Sequence, residues 1–307
     1  MKAIKIVIAG GSGFLGRPLA AALAEQGHEV VTLTRGDGPR RGQTRSRAAG
    51  WTPNGDVGPW AAEIDGAGAV VNLAGESIAG KRWTAAHKQR VLDSRVQATR
   101  SLVGAIQAAA APPPVFVSGS AVGYYGPRGD EAVTEETPPG LDFLARVCVQ
   151  WETEALLAAS DRSRVVCVRT GLALERDGGA LPEMLPPFRF GVGGPVGSGR
   201  QYWPWIHRAD WIALMIWALQ TPAATGALNA TAPNPATNAD FARALGRAMR
   251  RPAFMPAPAF ALRLLLGEMA DALLLSGQRA VPARPERLGF TFRYPHLDPA
   301  LAAIFGS

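Results

Sequence analysis

Ile6-Val7-Ile8-Ala9-Gly10-Gly11-Ser12-Gly13-Phe14-Leu15-Gly16 is the stretch from which the rest of the chain is read. A short apolar run of β type, beginning at Lys5, ends in glycines. Ala- and Leu-rich helical sequence then runs from Phe14 to Gln26, and Gly27 stops it. Gly10, Gly13 and Gly16 fit G-x-x-G-x-x-G, while Gly11, Gly13 and Gly16 fit G-x-G-x-x-G. Such a pattern alone also describes any Gly-rich turn before a helix. Here it follows a strand and opens a helix, the context a dinucleotide site requires. The early glycines permit a tight turn and close backbone approach, and Gly16 lets the helix pack on the strand. Backbone N–H groups and the helix dipole then face a pyrophosphate, so Gly10, Gly11, Ser12, Gly13, Phe14, Leu15 and Gly16 are candidate cofactor-binding residues.

The end of the second strand selects the cofactor. NAD sites usually place Asp or Glu there to accept from the ribose 2′-OH. This strand ends Thr32-Leu33-Thr34-Arg35, with no acid at the tip. Arg35 can make charge-assisted, bidentate bonds to a 2′-phosphate, and Thr34 can add a hydroxyl. NADP(H) is therefore expected over NAD. The plainer reading leaves Arg35 in an arginine-rich loop.

Further along, Val30–Leu33, Ala69–Leu73, Val115–Val117 and Val165–Val168 read as strands. Helical stretches cover Trp83–Ala110 and Phe143–Ala159, and Pro112–Pro114 end the first of them. Strands alternating with such helices imply an α/β fold with a doubly wound parallel sheet. Their continuous apolar runs suit strands covered on both faces. After about residue 175 Gly, Pro and aromatic residues dominate Gly178–Trp205. Helical segments follow at Trp211–Gln220 and Asn238–Arg250, and a Pro-rich tail carries one amphipathic helix between Pro258 and Ser276. Residues 1–175 thus read as a nucleotide-binding domain and 176–307 as a smaller, mixed substrate lobe.

At 307 residues the chain can bury a large core without disulfide or metal staples. Its two cysteines, Cys148 and Cys167, cannot make a four-thiolate zinc site, and four dispersed histidines fall in no ligand spacing. No metal site is expected. The first apolar run is too short and too Gly-broken for a signal peptide, and Arg263, Glu268 and Asp271 interrupt the longest later one, so a cytoplasmic protein without membrane spans is expected. Of 32 basic residues 28 are Arg, against 25 acids, for a net charge of +7. The dense run Arg35, Arg40, Arg41, Arg45 and Arg47 reads as a solvated loop rather than a nucleic-acid surface.

These residues, with several further motifs, resemble the extended short-chain dehydrogenase/reductase superfamily, its NAD-dependent epimerase/dehydratase group. The resemblance is closest to an atypical "epimerase family protein" branch with a C-terminal domain of unknown function. It is carried by Asn72-Leu73-Ala74-Gly75-Glu76, Ser94-Arg95, Ser118-Gly119-Ser120-Ala121-Val122-Gly123-Tyr124-Tyr125-Gly126, Trp151-Glu152 and Arg169-Thr170-Gly171. It continues through Leu185–Arg189, Gly193–Gly199, Trp205-Ile206-His207 and Gly277-Gln278-Arg279. The resemblance implies a Rossmann domain with a small substrate lobe, the chain re-entering the sheet near 205–230. It places Leu73, Ala74 and Gly75 after the fourth strand against the cofactor, Arg95 near it, and Ser118 and Thr170 at strand ends on the nicotinamide side. A small-molecule substrate is implied, and superfamily relatives often form homodimers through the two long helices.

The superfamily's usual machinery is a Ser followed by Tyr-x-x-x-Lys, in which the Tyr moves a proton, the Lys lowers its pKa and holds the ribose, and the Ser orients the substrate oxygen. Ser120 stands at the serine position. Counting back from Glu152 puts Cys148 at the lysine position and Leu144 at the tyrosine position, so the usual pair is missing. Tyr124 is the candidate substitute acid beside Ser120, with pocket lining or packing as its plainer role; Tyr125 is its neighbour. Cys148 and Cys167 read as small buried apolar residues, Glu76 and Lys81 as surface or orienting groups, and His207 as a structural hydrogen bonder. Tyr202, Trp203 and Trp205 read equally as pocket wall or core. Two functions remain in view: an NADP-dependent oxidoreductase or epimerase-like enzyme acting on a small carbonyl, alcohol or sugar nucleotide, and a non-catalytic NADP(H)-binding sensor.

Overall fold

The computed structural model describes residues 3–35 and 46–306. The chain runs β1 (Lys5–Ala9), α1 (Gly16–Glu25), β2 (Glu29–Thr34), β3 (Ser46–Gly50), β4 (Ala69–Asn72), α2 (Ala85–Ala108), β5 (Val115–Ala121), α3 (Phe143–Leu156) and β6 (Arg164–Thr170). It then leaves the sheet for α4 (Leu181–Arg189) and α5 (Arg208–Gln220) and returns as β7 (Gly226–Ala230). The last part contains α6 (Asn238–Met249), α7 (Ala259–Leu266) and a terminal helix, Leu297–Phe305.

The sheet order is β7-β6-β5-β4-β1-β2-β3, with every pairing parallel. The chain winds outward from β1 to β3, then starts again from β4 on the other side of β1. A crevice therefore opens beyond the carboxyl ends of β1 and β4, where doubly wound sheets hold their ligands. Alternation along β1 shows why both faces are apolar. Ile6 and Ile8 join a cluster with Leu19, Leu23, Trp211 and Leu214, whereas Val7 and Ala9 join the opposite cluster with Trp51, Trp60, Ile64 and Leu102. A third cluster builds the lobe from Leu181, Leu185, Trp205, Phe241, Leu245 and Leu301.

Two expectations are corrected. The arginine run is not wholly a loop: Arg47 lies in β3, which pairs with β2, and its guanidinium holds Glu63 at 2.5 and 2.6 Å. Ser-Arg-Ala-Ala-Gly has no β-branched residue, and an edge strand needs only one covered side, so its strand signal is weak. Arg40, Arg41 and Arg45 lie outside the described residues. The Pro258–Ser276 segment is not one amphipathic helix either. It breaks at Gly267 (φ 62°), and α7 buries none of its residues, with Phe260, Leu264 and Leu265 exposed. No helix among the described residues is long and apolar enough to cross a membrane.

Asp210, in the first turn of α5, pins the C-terminal tail under the sheet. Its buried carboxylate accepts from the backbone N–H of Arg293 and of Tyr294, both at 2.8 Å, beside Phe290 and Phe292 in the core. Asp210→Ala should leave both donors short of an acceptor. We expect a loss of about 2–6 kcal/mol in urea unfolding, from about 1–3 kcal/mol per unsatisfied buried group.

Candidate nucleotide site

The glycine turn is built by close approach. Gly10 has φ 78°, and a side chain there would come within 2.6 Å of the Leu73 carbonyl group. A methyl at Gly16 would meet the Gly10 carbonyl oxygen at 2.2 Å, which is why helix and turn can touch. Gly13 donates to the Gly10 carbonyl at 3.0 Å and closes the turn. Leu15 stands at the N-cap of α1 and offers no side-chain cap to this ten-residue helix, and the Arg17 N–H is taken up by the Gly13 carbonyl at 3.0 Å. Gly11 backs onto the Thr32 side chain of β2, and Phe14 lies against Gly178 and Gly179 at the entry to the lobe. Thr34 is half-buried and Arg35 exposed, at the carboxyl end of β2.

The segment after β4 is fixed from below. Leu73 donates to the Ala9 carbonyl at 2.8 Å, carrying the ladder one residue past the strand. Asn72, fully buried, accepts from the Ala74 N–H and donates to Thr99 of α2, which in turn donates to the Arg95 carbonyl. Arg95 is buried beneath this turn. Its Nη1 donates to the carbonyls of Glu76 (3.0 Å) and Val91 (2.9 Å), its guanidinium lies 5.2 Å from the Trp151 ring centre, and a side chain at Gly75 would touch its Cζ at 3.1 Å. Leu73 and Ala74 thus meet the glycine turn at the switch point, and Arg95 lies beneath the adjoining Gly75.

On the β5 side, Ser118 is fully buried and opposite Asn72 in register, its hydroxyl donating to the Gly119 carbonyl at 3.2 Å. Ser120 donates to Glu152 Oε1 at 2.6 Å. Glu152, from α3, holds Arg169 of β6 by two parallel bonds of 2.8 Å. Arg169 also donates to the Tyr125 hydroxyl at 3.0 Å, and that hydroxyl donates to Asn229 of β7 at 2.6 Å. The Arg169 guanidinium carbon lies 3.4 Å from the centre of the Tyr124 ring, so Tyr124 stacks on the charge and stands half-buried beside Ser120's strand. Burial alone would lower the Arg169 pKa; the two bonds to Glu152 outweigh it and keep the guanidinium charged. Burial pushes Tyr125 up to about 12, which makes it a core hydrogen bonder. Thr170 accepts from the Trp211 indole at 3.0 Å and sits opposite Ala121.

The positions of the absent pair are apolar or neutral. Leu144 packs on Gly123, and Cys148 is buried with its thiol toward the Ala121 carbonyl at 3.6 Å. Burial pushes Cys148 up to about 12, with Glu152 adding to the effect, and burial likewise raises Cys167. Glu76 lies 3.5 Å from both His87 and Arg90, while Lys81 is exposed. His207 caps α5 by accepting from Ala209 and stacks on Tyr294; burial lowers its pKa. Trp203 and Trp205 belong to the lobe core, and Tyr202 is half-buried. The buried Glu152–Arg169–Tyr125–Asn229 chain was not singled out from sequence. Its members Tyr125, Glu152 and Arg169 were quoted only as motif residues, and the one charge signal was an arginine following the apolar run Val165-Val166-Cys167-Val168.

The profile of the NAD dependent epimerase/dehydratase family matches residues 6–230. The chain belongs to that family. Residues 257–304 match a domain of unknown function, DUF1731, that follows it. Among its relatives, the human epimerase family protein SDR39U1 is 38% identical over 304 residues, covering 98% of this chain and 99% of that one. The Mycobacterium tuberculosis epimerase family protein MT2273 is 41% identical over 298 residues, covering 96% of each. The crystal structure of human SDR39U1 (isoform 2) with NADPH superposes with a TM-score of 0.90 at 36% identity, over 99% of this chain and 100% of that chain. A Corynebacterium glutamicum nucleoside-diphosphate sugar epimerase gives 0.79 at 34% identity, over 99% of this chain and 59% of that one.

Two outcomes are expected. Glu152→Ala should cost about 3–5 kcal/mol in denaturant unfolding, because it strands a buried guanidinium, and adding Arg169→Met should recover much of that loss. Neither cysteine should react with iodoacetamide at pH 8 in the folded protein, whereas both should in urea; rapid labelling of Cys148 in the native state would contradict its assignment as core.

Proposed function

We propose that this chain binds NADP(H) across the crevice beyond β1, β2, β4 and β5, and acts as an oxidoreductase or epimerase-like enzyme on a small carbonyl, alcohol or sugar-nucleotide substrate. The observation that carries the cofactor reading is the fit of the Gly10–Gly16 turn. It is closed against Leu73 with no room for a side chain at Gly10 or Gly16, and it leads into a helix start without a side-chain cap. A diphosphate is the group such a turn accommodates. The acid-free end of β2, with Arg35 exposed, supports the 2′-phosphate, and the human relative was crystallised with NADPH.

When bound, the nicotinamide supplies or accepts a hydride. The chain's own residues supply the rest. Ser120 would present a hydroxyl oxygen toward a substrate group while its proton is held by Glu152. Tyr124, braced by Arg169, would give its phenolic proton to a substrate oxygen and take it back in the reverse direction. Phe14 and the lobe entry at Gly178 and Gly179 would help exclude water from the crevice.

A second reading, a non-catalytic NADP(H) sensor, is favoured by one observation. The residues at the usual tyrosine and lysine positions, Leu144 and Cys148, cannot transfer a proton at neutral pH, and the Ser120 proton is already committed to Glu152.

Calorimetric titration with NADPH, NADP, NADH and NAD tests the cofactor. Arg35→Ala should weaken NADPH about tenfold or more, from the loss of charge-assisted bonds worth about 1.5–3 kcal/mol, and leave NADH nearly unchanged. No binding below about 1 mM for any of the four would remove both readings. A screen of carbonyl substrates with NADPH oxidation as readout separates enzyme from sensor: Tyr124→Phe should lower turnover about a hundredfold or more if Tyr124 is the proton donor, and unchanged turnover would exclude that role.

A further inference from the structure

Among the described residues, eleven large apolar side chains are exposed, and seven of them fall between Phe190 and Leu265. Phe190, Phe254, Phe260, Leu264 and Leu265 are each between 70% and 82% exposed. The lobe brings these segments together. The loop after α4 runs beside the segment after α6: Met255 donates to the Gly193 carbonyl at 3.1 Å, and Ala257 donates to the Pro195 carbonyl at 2.8 Å. A side chain at Gly194 would meet the Met255 carbonyl oxygen at 2.1 Å. Phe190 and Val192 therefore adjoin Phe254 and Met255. α7 begins directly after, at Ala259, and Phe260 and Leu264, one turn apart, share one of its faces. An apolar surface concentrated in this way marks a contact.

The charge around it has one sign. Residues 241–267 hold five arginines and no acid, and residues 184–199 hold Arg189 and no acid. Arg243, Arg247, Arg250 and Arg251 line an open groove of about 450 Å³ together with Phe254. Arg243 pairs with Asp240 and Arg247 with Asp298, whereas Arg250 and Arg251 meet no carboxylate among the described residues. Arg250 also takes the left-handed conformation that ends α6 (φ 54°), a position Gly or Asn holds at less cost.

The stretch between the charges selects the occupant. Residues 252–262 carry no polar side chain. Pro252, Pro256 and Pro258 have no N–H, and those of Met255 and Ala257 are already bonded within the lobe. This stretch offers a protein partner no directional side-chain donor or acceptor, yet it can enter a low-dielectric layer with few stranded backbone groups. A second copy related by a two-fold axis would set arginine against arginine. A bilayer surface of lipid phosphates over acyl chains meets both halves of the patch, taking guanidinium forks on the phosphates and apolar side chains beneath them. We propose that this face of the lobe docks on an anionic lipid surface, with Phe254, Phe260, Leu264 and Leu265 entering the headgroup layer and Arg250 and Arg251 holding lipid phosphates. The contact is peripheral and independent of the nucleotide reading.

The test is vesicle co-sedimentation of the full chain, with vesicles of phosphatidylcholine alone and of an equal mixture with phosphatidylglycerol. The wild-type protein should bind the mixed vesicles about tenfold or more tightly than the neutral ones, and added salt should weaken that binding. Arg250→Asn with Arg251→Gln, and separately Phe260→Ser with Leu264→Ser, should each weaken it about tenfold or more. All four sites are exposed, so both variants should melt as the wild type does. Phe260→Cys, labelled in the folded protein with a polarity-sensitive fluorophore while the two native cysteines stay buried, should report a drier environment on the mixed vesicles. Equal binding to both vesicle types, or none, overturns the proposal. So does binding that the arginine variant abolishes and the apolar variant leaves intact, since any acidic protein could supply that attraction. Self-association in velocity sedimentation that Phe260→Ser with Leu264→Ser abolishes would assign the patch to a second copy and overturn it as well.

Discussion

The buried bidentate pair between Glu152 and Arg169 is the contact through which the ligand-facing half of the sheet is organised. It ties α3 to β6, and its unused donors and acceptors reach everything nearby. Glu152 fixes the Ser120 hydroxyl on β5, and Arg169 fixes Tyr125, which fixes Asn229 on β7. The same guanidinium forms the floor for the Tyr124 ring. A pair this deep is weak evidence for net stability, since desolvation offsets much of the attraction. Its value here is geometric. With nearly every donor and acceptor matched, three strands, one helix and the two tyrosines have one arrangement that leaves no charge unpaired.

On the other half of the site the organising groups are backbone. Gly10, Gly16, Leu73 and Ala74 approach so closely that a single methyl would separate them. This half asks little of side chains and much of conformation, and for that reason it could be read from sequence. A glycine pattern between an apolar run and an Ala-rich helix has few other uses. The sheet was equally legible, because strands covered on both faces carry continuous apolar runs, and β1, β2, β4, β5 and β6 each contain one. β3 was not legible, since Ser46–Gly50 sits at an edge with small residues and one arginine.

The polar network escaped for a different reason. Ser120, Glu152, Arg169, Tyr125 and Asn229 are scattered along the chain, Tyr125 and its partner Asn229 lying 104 residues apart, and no spacing rule links a helix acid to a strand base. Ser120 and Tyr124 could be picked out by position, yet their bonding partners could not. The resemblance singled out Arg95, but that its Nη1 would be held by the Glu76 and Val91 carbonyls beneath Gly75 was a matter of side-chain geometry. The α7 segment misled because its composition resembles that of a packed helix, whereas burial is decided by neighbours that its sequence does not describe.

The route of the chain between β6 and β7 bears on the order of assembly. After Thr170 the polypeptide leaves the sheet, builds α4 and α5, and returns only at Gly226 to pair with β6. Until that return, β6 is an edge strand, the Tyr125 hydroxyl lacks Asn229, and Glu135 lacks the Asn229 N–H that it accepts at 2.9 Å. Closure across so long an excursion is entropically late and slow. On the ribosome, a nascent chain would display an unsealed strand and an acid without its later donors, the N–H groups of Asn229 and Arg284, for as long as the following segment takes to emerge and fold. That interval is when the protein is most exposed to aggregation and most in need of a chaperone.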